Sequence, residues 1–272
     1  MSETNAIQIN FETTAVKAVF FDIDGTLKSF KTHRIPGSAI EAIRLLKAKD
    51  IKVIVATGRS FEAISDLLHL QFDGFICFNG SCCLLENQEV VYRQPINPAD
   101  IQSLLEYTLT HPVSFSLMYE KGVLISDETP EVAGMYAHVN LPVPPALDRE
   151  KVDVETVLQA NIFLRPEDEK EFMNKVMPAS DSSRWTQLFA DVNYKGISKK
   201  TGVENFCSYF GIEPGQTMSF GDGGNDKTLL HYTGIGVAMG NASHDVKEIA
   251  NHITDDVDND GIWNALKYFK VI

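Results

Sequence analysis

Lys17-Ala18-Val19-Phe20-Phe21-Asp22-Ile23-Asp24-Gly25-Thr26-Leu27 is the stretch whose reading decides the fold. Its apolar run, Ala18-Val19-Phe20-Phe21, reads as a strand buried on both faces, the kind found in the middle of a parallel sheet. The run stops at two carboxylates, Asp22 and Asp24, and Gly25 lets the chain turn there. In open α/β sheets ligands bind outside the carboxyl ends of the strands, so acids at that edge overhang a crevice. Taken alone, the pair could equally begin a solvated turn. The rest of the chain decides between the two.

A chain of 272 residues has room for one large domain or two smaller ones, and 44% hydrophobic with 22% charged residues is ordinary globular composition. No run approaches the ~20 apolar residues that span a bilayer, and residues 1–5 lack the basic and apolar regions of a signal peptide. The expected setting is therefore cytoplasmic, with no membrane partner, as a monomer or weak homo-oligomer. Cys77, Cys82, Cys83 and Cys207 show no Cys-x-x-Cys spacing and read as small core residues. A net charge of −13 repels a phosphate backbone, which argues against nucleic acid. A small anionic ligand remains compatible if a metal ion and a few cations neutralise the site locally.

Outward from the opening strand, residues 2–14 read as a loose arm or a short edge strand. Pro36 suits the first turn of a helix whose apolar face includes Ala39, Ile43 and Leu46. Residues 51–56 form a second buried strand ending in Thr57-Gly58-Arg59-Ser60, followed by a helix at 61–70 and a third strand at 74–78. This alternation implies parallel strands with right-handed crossovers, so Thr57 emerges on the same edge as Asp22 and Asp24. From about Leu84 the texture changes. Leu84-Leu85 and Val90-Val91-Tyr92 suggest a hairpin, and after it come a helix at 98–110, strands at 113–119, 122–126 and 161–164, a helix at 167–176 and a strand at 185–192. The strands pair most simply as antiparallel hairpins, so residues 85–192 read as an α+β insert. Its aromatic residues, including Phe115, Tyr119, Tyr136 and Trp185, read as core.

Near Tyr194 the alternating pattern returns. Val203, Phe206, Cys207 and Phe210 give one apolar helix face, and a strand at 216–220 ends in Gly221-Asp222-Gly223-Gly224-Asn225-Asp226. A strand at 235–238, a helix capped by Ser243 and a helix at 262–269 close the chain. The fold class is α/β: a doubly wound, Rossmann-like parallel-sheet core from residues 15–84 and 193–272, with residues 85–192 as an inserted α+β cap.

Three turns thus offer Asp22 with Asp24, Thr57, and Asp222 with Asn225 and Asp226, while Lys199 begins a helix in the same half. Carboxylates converging from different turns suit Mg²⁺, a hard octahedral cation that takes one or two carboxylates, waters and a substrate phosphate. Hydroxyl, amide and ammonium groups suit the remaining phosphate oxygens. Each piece alone has a plainer reading: Lys199 as a solvated lysine, Asp226 as a first-turn acid facing the helix dipole, Thr57 as a helix cap.

Together and in this order the pieces resemble the four motifs of the haloacid dehalogenase-like hydrolases. Asp22-Ile23-Asp24-Gly25-Thr26 matches the first, Thr57-Gly58-Arg59 the second, Lys199 within Gly196-Ile197-Ser198-Lys199 the third, and Gly221-Asp222-Gly223-Gly224-Asn225-Asp226 the fourth. Only 33 residues separate Asp24 from Thr57, whereas 142 separate Thr57 from Lys199, enough for a whole domain. With Val237-Ala238-Met239-Gly240-Asn241-Ala242 near the end, the chain resembles the Cof-type branch of sugar phosphatases. It departs at Lys200, where that branch often has glycine.

The resemblance implies a Mg²⁺-dependent phosphatase for small phosphorylated metabolites, sugar phosphates first. Asp22 is then the nucleophile that forms an aspartyl-phosphate and Asp24 the acid and base. Mg²⁺ is held by the Asp22 carboxylate, the Asp24 main-chain carbonyl and the Asp222 carboxylate. Thr57, Gly58, Lys199 and Asn225 bind the phosphoryl group, and Asp226 orients Lys199 or a metal-bound water. A mutase of the same superfamily and a phosphosugar-binding regulator without turnover are the alternatives.

Overall fold

The computed structural model describes residues 15–138 and 141–272; the arm or edge strand expected over residues 2–14 lies outside the described residues. In chain order, strand β1 is Ala18–Phe21, helix α1 Gly37–Ala48, β2 Lys52–Ala56, β3 Gly74–Cys77, β4 Cys82–Leu85 and β5 Val90–Arg93. Then come α2 Pro98–Tyr107, β6 Ser114–Tyr119, β7 Gly122–Ile125, α3 Pro130–His138, β8 Gln159–Phe163, α4 Pro166–Val176, β9 Ser180–Ser183 and β10 Ala190–Tyr194. The last part holds α5 Lys199–Phe210, β11 Thr217–Gly221, α6 Lys227–Tyr232, β12 Ile235–Ala238, α7 His244–Lys247, β13 His252–Ile253 and α8 Gly261–Tyr268.

An eight-stranded sheet runs β13-β12-β11-β1-β2-β3-β4-β5, parallel from β13 to β3 and antiparallel at β4 and β5. The opening strand is central: the chain winds outward from it through β2 and β3, then returns to its other side at β11. That reversal leaves a crevice at the carboxyl ends of β1 and β11. Both faces of β1 are buried, as its unbroken apolar run requires. Val19 and Phe21 join the core with Ala42, Leu46 and Leu266 of α1 and α8; Ala18 and Phe20 join Val203, Phe206 and Leu229 of α5 and α6.

A five-stranded sheet, β7-β6-β8-β10-β9, is antiparallel throughout. Alternation along its strands sorts the side chains. Phe115, Leu117, Ala160, Ile162 and Val192 pack with Ile101 and Leu104 of α2 and Phe172 of α4. The opposite face carries Ser116, Gln159, Asn161, Asp191 and Asn193, all buried.

The elements differ from the sequence reading in several places, among them the unforeseen short strands β9 and β13. The β4–β5 hairpin, expected within the insert, belongs to the eight-stranded sheet, because β5 pairs with β4 and β4 with β3. Residues 61–70, expected as an α-helix, form a 3₁₀ stretch over Glu62–Leu70. The last strand of the smaller sheet, expected at 185–192, is β10 at Ala190–Tyr194, and α3 was not foreseen. The cysteines are free and buried. No helix among the described residues is long and apolar enough to cross a membrane.

Candidate active site

Every residue singled out from the motifs lies at the crevice. β1 delivers Asp22 and Asp24, β2 delivers Thr57 and Gly58, and the turn after β11 delivers Asp222, Asn225 and Asp226; all of these line one cavity. Lys199, the first residue of α5, lies beneath them, fully buried. Its Nζ donates to Asp22 Oδ1 at 2.5 Å and to Asp226 Oδ1 at 2.6 Å. Burial alone would lower the Lys199 pKa, but the two carboxylates outweigh it and hold the ammonium above its usual range.

Asp226 is spent on positioning. Its Oδ2 accepts the backbone N–H groups of Asp222 (3.0 Å) and Gly223 (2.9 Å) while Oδ1 takes the lysine. Asp222 is held by Thr26 Oγ1 at 3.1 Å and Asn241 Nδ2 at 3.0 Å. A Cβ on Gly25, at φ +85°, would fall 2.2 Å from Asp222 Oδ2, so the first and last turns meet only because that residue is glycine. Asp24 turns its carboxylate to Arg59 in a bidentate pair, both contacts 2.7 Å.

Asp22, Asp222 and Asp226 bring carboxylate oxygens within 4.8 Å of one another and form an acidic group that could bind a metal ion. Burial, and then the neighbouring acids, push Asp22 up to about 7 and Asp222 well above the carboxylate range. A single ammonium leaves this cluster short of positive charge, and a hard divalent cation fits its all-oxygen donor set.

Several residues in or beside the cavity were not singled out from the sequence. Asn79, in the turn after β3, donates to Asp191 Oδ2 at 2.8 Å and accepts from Asn225 at 2.9 Å. Asp191 Oδ1 also accepts from Asn161 at 2.5 Å and Gln159 at 3.3 Å. In sequence Gln159, Asn161 and Asp191 look like the wet face of alternating strands, and only the alternation itself could have grouped them; Asn79 reads as an ordinary turn residue. Phe115 is core, as expected; Tyr136 and Trp185 belong to a core cluster of the insert and also line the cavity.

Comparison with known proteins agrees with this geometry. Residues 19–266 match the family model of the haloacid dehalogenase-like hydrolases. The putative phosphatase YkrA of Bacillus subtilis is 34% identical over 254 residues, covering 92% of this chain and 96% of that one. Among solved structures, the subclass IIB sugar phosphatase BT4131 is 39% identical with a TM-score of 0.88, covering 94% of this chain and 100% of that one. The phosphatase BT1666 from Bacteroides thetaiotaomicron is 35% identical with a TM-score of 0.88, covering 97% and 98%. The chain belongs to the haloacid dehalogenase-like hydrolases, in their Cof-type branch.

Proposed function

We propose that this protein is a Mg²⁺-dependent phosphatase that hydrolyses small phosphomonoesters through an aspartyl-phosphate on Asp22. The observation that carries the reading is the buried Asp22–Lys199–Asp226 chain, which fixes one carboxylate oxygen of Asp22 at the floor of the crevice. The other oxygen is then aimed for attack on phosphorus. Asp24 protonates the leaving alcohol and afterwards takes a proton from the water that releases phosphate. Its bidentate pair with Arg59 has to loosen for either transfer. Thr57, the Gly58 backbone, Lys199 and Asn225 bind the phosphoryl oxygens. The Asp22 and Asp222 carboxylates with the Asp24 carbonyl would hold Mg²⁺, which supplies charge neutralisation at the transferring group.

The larger sheet forms the catalytic core in this reading, and the insert acts as its lid. The sheet pairing supports moving the expected boundary at residue 84 to the linker after β5, and the return to the region after Tyr194. The sugar phosphatase neighbour supports a small phosphorylated metabolite as substrate. The test is phosphate release from a panel of phosphomonoesters with Mg²⁺, with the Asp22→Asn protein alongside. We expect turnover that is lost in the variant and with chelator, and inhibited by Ca²⁺, whose longer, bidentate carboxylate coordination misaligns Asp22. Phosphate release from folded Asp22→Asn at the wild-type rate would exclude the covalent route.

A further inference from the structure

The turn after β3 carries two consecutive non-glycine residues at positive φ, Phe78 at +51° and Asn79 at +52°. A Cβ disfavours that conformation, which persists where surrounding contacts hold it and clusters at functional sites. Here the holding contacts come from the smaller sheet. Asn193 of β10 donates to Phe78 O at 2.9 Å and to Ser81 Oγ at 3.0 Å. Asn79 Nδ2 donates to Gln159 Oε1 at 3.0 Å and to Asp191 Oδ2 at 2.8 Å. The same turn is tied to the edge that carries Thr57, since the Asn79 backbone N–H donates to Thr57 O at 2.9 Å.

These partners dictate which way each amide points. Gly58 O can only accept, so Gln159 places Nε2 there at 3.1 Å and turns Oε1 to Asn79. Asn79 then gives its N–H groups to the smaller sheet and leaves Oδ1 for the core, where it accepts from Asn225 Nδ2 at 2.9 Å. Asn225 thereby keeps its amide nitrogen on this side, with a second N–H that no described residue takes. A donor is what a phosphoryl oxygen requires. Released from Asp191 and Gln159, Asn79 could reverse; Asn225 would then turn its oxygen to it and carry its donor elsewhere.

We infer that Asn79 is a positioning residue, which makes the phosphoryl-binding donor of Asn225 conditional on Asp191 and Gln159 being docked from the insert. The insert then does more than cover the crevice, because an acid on β10 orients an amide of the core through Asn79. Asn225 owes its phosphoryl-binding role to the phosphatase reading, so binding and turnover are measured separately. Inorganic phosphate with Mg²⁺ is titrated by calorimetry into the wild-type protein, Asn79→Gly, Asn225→Ala and the double variant, and turnover of p-nitrophenyl phosphate is followed on the same proteins. Glycine suits φ +52° and removes the amide.

Losing a hydrogen bond to a charged group should raise the phosphate Kd at least about tenfold in Asn79→Gly. The double variant should bind no more weakly than Asn225→Ala alone, whereas a merely structural loss would add to it. Asp191→Asn runs the same cycle from the insert end, and serves if Asn79→Gly does not fold. Its new oxygen is kept by the donors Asn161 and Gln159, so its amide nitrogen faces Asn79 and favours the reversal. Removing an acid would by charge alone favour phosphate, so weaker binding in this variant reports lost orientation. Coupled losses in binding, with no ester turned over by the wild-type protein, would sustain the role of Asn79 while refuting the phosphatase reading. Losses that add, or phosphate affinity unchanged in folded Asn79→Gly and Asp191→Asn, would overturn that role while wild-type turnover upheld the phosphatase reading.

Discussion

Lys199 is a buried ammonium whose removal strands two carboxylates. Asp22 and Asp226 are only 6% and 1% exposed and meet at its Nζ. Breaking such a pair from one side costs about 3 to 5 kcal/mol, because the surviving charge stays buried without a partner. Lys199→Met is therefore expected to lose about that much stability in urea unfolding, as well as at least about a hundredfold in turnover from the lost donor. Unchanged unfolding would mean that the acids protonate at no cost. For Asp24, the proposed role makes a different demand. Asp24→Asn should slow an alkyl phosphate by about 10² to 10⁴-fold but p-nitrophenyl phosphate much less, since that leaving group needs little protonation. Equal loss on both esters would assign Asp24 to something other than proton transfer.

At the scale of elements, the start of α5 is fixed by a close backbone approach. Gly80 has φ +108°, and a Cβ there would fall 2.1 Å from the Ser198 carbonyl oxygen, one residue before Lys199. Thr201 Oγ1 accepts the Ser198 N–H at 3.3 Å, holding the same turn from the helix side. Gly80→Ala combines positive-φ strain with a backbone clash, so a loss of about 1 to 3 kcal/mol and a fall in kcat are expected from thermal unfolding and phosphate release. Wild-type kcat in a destabilised variant would show that Lys199 keeps its place without this contact. The elements legible in the sequence were those with one unambiguous environment. Ala18 to Phe21 could only be doubly buried, and the acids that ended β1 and β11 marked the crevice. Elements settled by their neighbours were not legible: β5 reads like any hairpin arm until β4 and β3 are beside it, and the 3₁₀ stretch Glu62–Leu70 has a helical apolar pattern. The motif acids could be placed because each ends a strand. Gln159, Asn161 and Asp191 could not, since polar alternation normally faces water and here faces the turns at the carboxyl edge of the larger sheet, Asn79 among them.

Across the whole molecule, the two sheets meet at that polar seam. Asn193 donates to Phe78 O at 2.9 Å, Gln159 to Gly58 O at 3.1 Å, and Asn79 to Asp191, which is 2% exposed. Burial pushes the Asp191 carboxyl up to about 7 even though Asn79 and Asn161 donate to it. The sign of its effect on stability follows from linkage. With an ordinary value of 3.8 in the unfolded chain, the native protein holds a proton between roughly pH 4 and pH 7 that the unfolded chain has released. Stability contributed by the protonated acid is complete below about pH 4 and is lost as pH rises through about 7. The loss approaches 1.4 kcal/mol per pH unit and totals about 4 kcal/mol at most. Asn at this position cannot titrate, but it presents an amide to the Asn79 amide and leaves that pair unsatisfied, at about 1 to 3 kcal/mol. Asp191→Asn should therefore be less stable than wild type near pH 4, with the gap closing toward pH 8 in urea unfolding series. Asp22 and Asp222 titrate in both proteins, so their shared slope cancels in the difference. Parallel pH curves for the two proteins would mean that Asp191 is ionised throughout, its amide donors outweighing burial.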